Sequence, residues 1–177
     1  MYYKVLNQLP KIPNSLIAKA ISLYQDKDEI VSYRPNQYNL PNKEFPRFPV
    51  SNDFVDWIRT NITDKCHAID IAVTGSSKPE INTMQPHTDR DREYTLMYLL
   101  QSGGDDHRTV FYEHKNKELV LKRQMNFVFE DLVEVDSIQI PLKTWTILNA
   151  QTIHGVKNIP GRRIAIQVAL ETNPWEN

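Results

Sequence analysis

Cysteine is nearly missing from this chain. Cys66 is the single one in 177 residues, so no intrachain disulfide can form and a thiolate zinc site would lack its usual partners. A reducing compartment suits such a sequence. Long apolar runs are missing as well: no stretch of about 18 apolar residues occurs, the length a membrane helix needs. The N-terminal MYYKVLNQLPKIPNS has neither a basic start leading into an apolar core nor a small-residue cleavage pattern. A soluble, cytoplasmic protein without a membrane segment is expected. Charge of one sign is not in excess, with 21 basic against 22 acidic residues and no block of five like charges, so no nucleic-acid or membrane surface is expected. Internal repeats and low-complexity tracts are absent. The length fits one domain, residues 1–177, large enough to bury a core without staples.

Two short helices are expected early in the chain. In NSLIAKAISLY, Asn14 or Ser15 can cap the free amides, and Leu16, Ile17, Ala20, Leu23 and Tyr24 form one apolar stripe. A second helix starts from Ser51 or Asn52 as cap, carries Phe54, Val55 and Ile58 inward, and places Asp53 and Asp56 near the positive end of its dipole. Between them, VSYRPNQYNLPNKEFPRFPV contains four prolines and is expected as a long loop. From His67 the pattern changes to strands: HAIDIAVT, EYTLMYLL, RTVFYEH, ELVLK, MNFVFE, SIQIPL, TWTILNAQTIHGV and RRIAIQVAL are β-branched and aromatic, and most are separated by turn-rich or charged stretches. Successive short strands predict an α+β domain, mainly β: an antiparallel sandwich or barrel over about residues 67–170, with residues 1–66 as helical support and loop.

Of the five histidines, His87 and His154 have partners in the pattern. In His87-Thr88-Asp89 the imidazole and carboxylate are two residues apart, so an extended backbone points both to one face and one metal ion can take both. His154 ends an apolar segment and is followed by the turn-like KNIPG and then by Arg162-Arg163. If those segments form a hairpin, His154 lies beside Arg163 or Ile164, and a second imidazole neighbours a fixed cation. Two histidines and one carboxylate on one face of an octahedral ion leave positions open, the arrangement of non-haem Fe(II) oxygenases. His67, His107 and His114 have no such partners and are read as surface residues.

These residues resemble the Fe(II)/2-oxoglutarate-dependent dioxygenase superfamily, including its prolyl-hydroxylase-like branch. The resemblance is carried by His87-x-Asp89, the distal His154 and Arg163 nine positions later, and it covers about residues 67–170. It implies a double-stranded β-helix of the jelly-roll or cupin type. It also implies iron held by His87, Asp89 and His154, O2 and 2-oxoglutarate as co-substrates, and Arg163 on the far carboxylate of 2-oxoglutarate. Ascorbate would serve as reductant. A further implied contact is an inward aromatic on the following strand, for which Tyr98 is the candidate; a core tyrosine with its hydroxyl at the barrel rim is an equal reading. Gln85 and Asn149 are either contacts within the site or ordinary loop and strand-end residues. The substrate would be a peptide, an amino acid or a small metabolite, reached through loops at residues 31–50 and 74–86.

Strand parity decides between the two arginines. The even set Ile164, Ile166, Val168 and Leu170 suits packing against helices, whereas the odd set Arg163, Ala165, Gln167 and Ala169 suits a cavity wall. Two other functions compete with the oxygenase: a cupin-type metalloenzyme that needs no keto acid, and a metal-free β-sandwich binding module.

Overall fold

The computed structural model describes residues 1–25, 47–74, 83–89, 91–117 and 127–176. Within them, β1 (Tyr3–Leu6) is followed by α1 (Asn14–Gln25), β2 (Arg47–Pro49), α2 (Asn52–Asn61), β3 (Cys66–Thr74) and β4 (Met84–His87). Then come β5 (Tyr94–Ser102), β6 (Arg108–His114), β7 (Leu132–Ile138), β8 (Trp145–Asn149), β9 (Ile153–Lys157) and β10 (Arg163–Leu170). One antiparallel sheet has the order β1-β8-β5-β10-β3-β2, and the other has the order β4-β9-β6-β7. Strands β3, β4, β5 and β6 fall alternately in the two sheets, and so do β7, β8, β9 and β10. This is a jelly-roll, cupin-like sandwich: the strand pattern predicted an antiparallel sandwich or barrel, and the resemblance implied the jelly-roll type.

The helices pack on one face of the six-stranded sheet. Ile17 and Ala20 of α1 and Phe54 and Ile58 of α2 meet Ile164, Ile166, Val168 and Leu170 of β10 in one buried cluster. Each of the larger of these side chains, moved fully out of water, contributes roughly 1.5–3 kcal/mol before ordering costs. That cluster holds the sheet rigid behind the site. The two helices are also tied at the surface by Lys19 Nζ on Asp53 Oδ2 at 2.8 Å. Ser51 takes the N-cap position of α2 in extended backbone, but its side chain makes no capping bond. It bonds Asp53 instead.

Several expectations need correction. Residues 1–66 supply more than helices, because β1 and β2 extend both edges of the larger sheet. Sheet-edge pairing is decided by distant partners, Leu148 opposite Tyr3 and Ala72 opposite Arg47, which no local pattern reveals. The segment 144–156 is two strands in different sheets, broken by a turn at 150–152. Consequently β9 and β10 are not a hairpin: β9 pairs with β4 and β6, and β10 with β5 and β3. Of MNFVFE, the described part is no strand, and Phe129–Asp131 forms a 3-10 turn ahead of β7. ELVLK, most of the proline-rich loop and most of 74–86 lie outside the described residues.

Candidate metal centre

Pairing of β4 with β9 sets His87 directly opposite His154. Cross-strand neighbours of this kind stand about 5 Å apart at Cβ, and here the ring centroids are 4.5 Å apart. The residue after His154 allows this approach. A Cβ added at Gly155 would come 2.7 Å from the carbonyl oxygen of Met84, so a side chain there would push β4 away. The register shifts between Met84 and His87, and such an irregularity re-aims a side chain relative to its strand. Asp89 follows β4, its backbone amide donating to the Ala150 carbonyl at 2.8 Å. One ligand atom from each of His87, Asp89 and His154 lies within 4.8 Å of the others.

Each donor is oriented by a partner on its far side. His87 Nδ1 meets the Gln85 carbonyl and His154 Nδ1 meets the Thr152 carbonyl, both at 2.8 Å. A carbonyl only accepts, so each Nδ1 carries the proton and each Nε2 keeps its lone pair for a metal. Burial, reinforced by the neighbouring His154 and only partly opposed by Asp89, lowers the His87 pKa to about 4, which keeps the ring neutral near pH 7. Asp89 Oδ2 lies 2.9 Å from Arg92 Nε and accepts from the Thr95 hydroxyl at 3.2 Å. Burial alone would raise the Asp89 pKa, but Arg92, followed by the two imidazoles, outweighs it and holds the carboxyl below the usual range. Oδ1 is left toward the histidines, 3.7 Å from His87 Nε2.

The triad opens into a cleft lined also by Arg47, Met97, Thr109, Arg163 and Gln167. Arg163, the first residue of β10, is 2% exposed, and among the described residues its Nε has no hydrogen-bond partner. One terminal nitrogen approaches Met97 Sδ at 3.3 Å and the Thr109 hydroxyl at 3.4 Å. Burial without a carboxylate lowers its pKa to about 10, and it remains a cation. A buried, unpaired guanidinium is costly unless something anionic answers it. Also in the lining, Arg47 donates to Gln167 Oε1.

The parity argument places the arginines as the structure has them: Arg163 lines the cleft and Arg162 is exposed. His154 and Arg163 do share one space, although they reach it from facing sheets and not across a hairpin. Of the two readings of Tyr98, its position matches the core tyrosine and not the co-substrate contact. It is 1% exposed, belongs to the helix-side cluster and has its ring 4.8 Å from that of Trp145, while its neighbour Met97 lines the cleft. Its partner across the sheet is Ile166, on the apolar face of β10. His107 is also corrected: it is buried, with its ring nitrogens 3.0 Å from the Gly104 carbonyl and 3.2 Å from the Ile140 carbonyl, so it ties two loops together. His67 is exposed as expected. Gln85 is exposed and serves the site through its carbonyl, and Asn149 accepts from the Gln151 amide as a turn-capping residue. Arg92, Thr95, Thr109 and Gln151 went unnoticed in the sequence. Of these only Arg92 had a signal, a cation three residues after the carboxylate.

A jelly-roll sandwich with two histidines and a carboxylate at one end and a buried arginine in the same cleft is the class of architecture that fold and site define. One solved structure of similar fold is a prolyl hydroxylase from Trichoplax adhaerens in complex with a hypoxia inducible factor oxygen degradation domain peptide fragment. The likeness has a TM-score of 0.54 at 13% identity and covers 95% of this chain and 82% of that one. At this identity it establishes the fold. No protein-family model and no curated protein matches the sequence. Among the described residues no helix is long and apolar enough to cross a membrane.

Proposed function

We propose that this protein is an Fe(II)- and 2-oxoglutarate-dependent oxygenase that hydroxylates a peptide, an amino acid or a small metabolite. One observation carries the reading. Three metal-ligand atoms with their outer sides already bonded open into the same cleft as a buried arginine whose Nε lacks a partner among the described residues. Iron chelated by a 2-oxo acid would supply O2 activation, in which 2-oxoglutarate, O2 and a C–H bond become succinate, CO2 and an alcohol. The protein's part is positional. His87, Asp89 and His154 hold the ion by one face, and the Arg163 guanidinium, with the Thr109 hydroxyl beside it, takes the far carboxylate. The cleft walls keep water from the bond to be oxidised.

The donor set supports iron over the alternatives weighed. A cupin-type enzyme without a keto acid has no use for Arg163, and a binding module has no use for three converged ligand atoms. The Asp89 carboxylate fills a position that a halide would need in halogenation, so hydroxylation is favoured. A peptide substrate has the added support that the structurally similar prolyl hydroxylase is seen with a peptide.

The test is succinate formation from 2-oxoglutarate in air with added Fe(II) and ascorbate, alongside metal titration of the apo-protein. Wild type is expected to bind one divalent ion per chain and form succinate, with N-oxalylglycine blocking turnover. His87→Ala/His154→Ala is expected to do neither. Full metal occupancy in that double variant would refute the assignment.

A further inference from the structure

The turn between β8 and β9 touches both arms of the metal centre. On one side it leads into His154, whose Nδ1 meets the Thr152 carbonyl. On the other it grips the segment that carries Asp89. Ala150 accepts from the Asp89 amide at 2.8 Å and donates to the Glu93 carbonyl at 2.9 Å. Between these backbone bonds, the Gln151 side-chain nitrogen donates to the carbonyls of Asp89 at 2.9 Å and Arg92 at 2.6 Å. Two acceptors fix which way the amide points, because exchanging its nitrogen and oxygen would set three oxygens together. The remaining Gln151 Oε1 is buried and has no partner among the described residues.

We propose that Gln151 is a positioning residue for the metal centre: its carboxamide clamps the Asp89 segment to the turn that leads into His154, so that the two ligands keep one geometry. The inference rests on the metal reading above and concerns a residue that touches neither metal nor co-substrate. Without the clamp, the direct ties left between this segment and the turn, among the described residues, are the Ala150 backbone bonds to Asp89 and Glu93, and the Asp89 backbone can shift relative to the histidines while Arg92 and Thr95 still hold its carboxylate. Partners outside the ligand shell typically alter metal affinity by about 10–100-fold.

The experiment compares wild type with Gln151→Glu and Gln151→Met in the full chain, titrating Co(II) against the apo-protein by its visible absorption and recording thermal midpoints with and without the ion. Glu keeps the shape but presents only acceptors to the two carbonyls, and Met keeps the length without donating. Both are expected to weaken Co(II) binding at least about tenfold and to shrink the rise in midpoint that saturating Co(II) produces in wild type. If Gln151→Glu does not fold, Gln151→Met carries the comparison. A Met variant that binds Co(II) within about twofold of wild type, even with a lower apo midpoint, would make the glutamine merely structural and overturn the inference alone. Absence of Co(II) binding by wild type would overturn the metal reading together with it.

Discussion

The two faces of the six-stranded sheet use the same strands for opposite purposes. Toward the helices stand Leu96, Tyr98, Trp145, Ile147, Ile164 and Ile166, large and closely packed. Toward the smaller sheet the same strands present Thr95, Met97, Leu148, Arg163 and Gln167 around a cleft. Alternation along each strand keeps the two sets apart. The face that holds the fold together is therefore not the face that would do chemistry, and the buried cost of Arg163 is carried by packing behind it. Substitutions on the two faces are expected to separate stability from ligand binding.

The largest effect is expected on the helix side. Tyr98→Ala removes an aromatic ring from a filled cluster and is expected to cost about 3–5 kcal/mol of unfolding free energy, the range of aromatic-to-alanine changes in cores. Its 2-oxoglutarate requirement is expected to stay at the wild-type value. Urea denaturation and co-substrate titration of the same variant measure the two, and a raised requirement in a folded Tyr98→Phe would reinstate the tyrosine as a co-substrate contact.

On the cleft side the pattern reverses. Arg163→Met is expected to raise the 2-oxoglutarate requirement by about tenfold or more, the scale of a lost charge-assisted hydrogen bond. Unfolding free energy is expected to be unchanged or raised, since an unpaired buried cation has been replaced by an apolar chain of similar length. Arg162→Met, on an exposed side chain, is expected to change neither. A large effect at Arg162 with none at Arg163 would mean that the two faces are reversed.

The smallest effect lies at the surface behind the helices. The hydrogen bond from Lys19, with a second from Ser51, lowers the Asp53 pKa from 3.8 to about 2. A carboxyl whose folded pKa is depressed stabilises the fold above its unfolded pKa and loses that contribution as pH falls from 3.8 toward 2. Asp53→Asn is therefore expected to melt slightly below wild type near pH 7. The gap should close as the pH falls through that window and shrink in 1 M salt, because the pair is exposed. A gap that persists at pH 2 would assign the effect to helix capping.

What the sequence by itself determined is what rests on neighbouring residues. His87 and Asp89 share a side because two residues of extended chain return to the same side. Arg163 faces inward because Ile164, Ile166, Val168 and Leu170 claim the apolar face of a strand with clear alternation. For Tyr98 parity offered no choice, because TLMYLL is apolar on both faces, and the two readings of that residue stayed equal. The tertiary structure alone decided the rest. It broke 144–156 into strands of two sheets, set His154 opposite His87 across β4 and β9, and brought Gln151 onto carbonyls about 60 residues away in the chain. Such contacts depend on which distant segments pair once loops are closed, and no local periodicity carries that information.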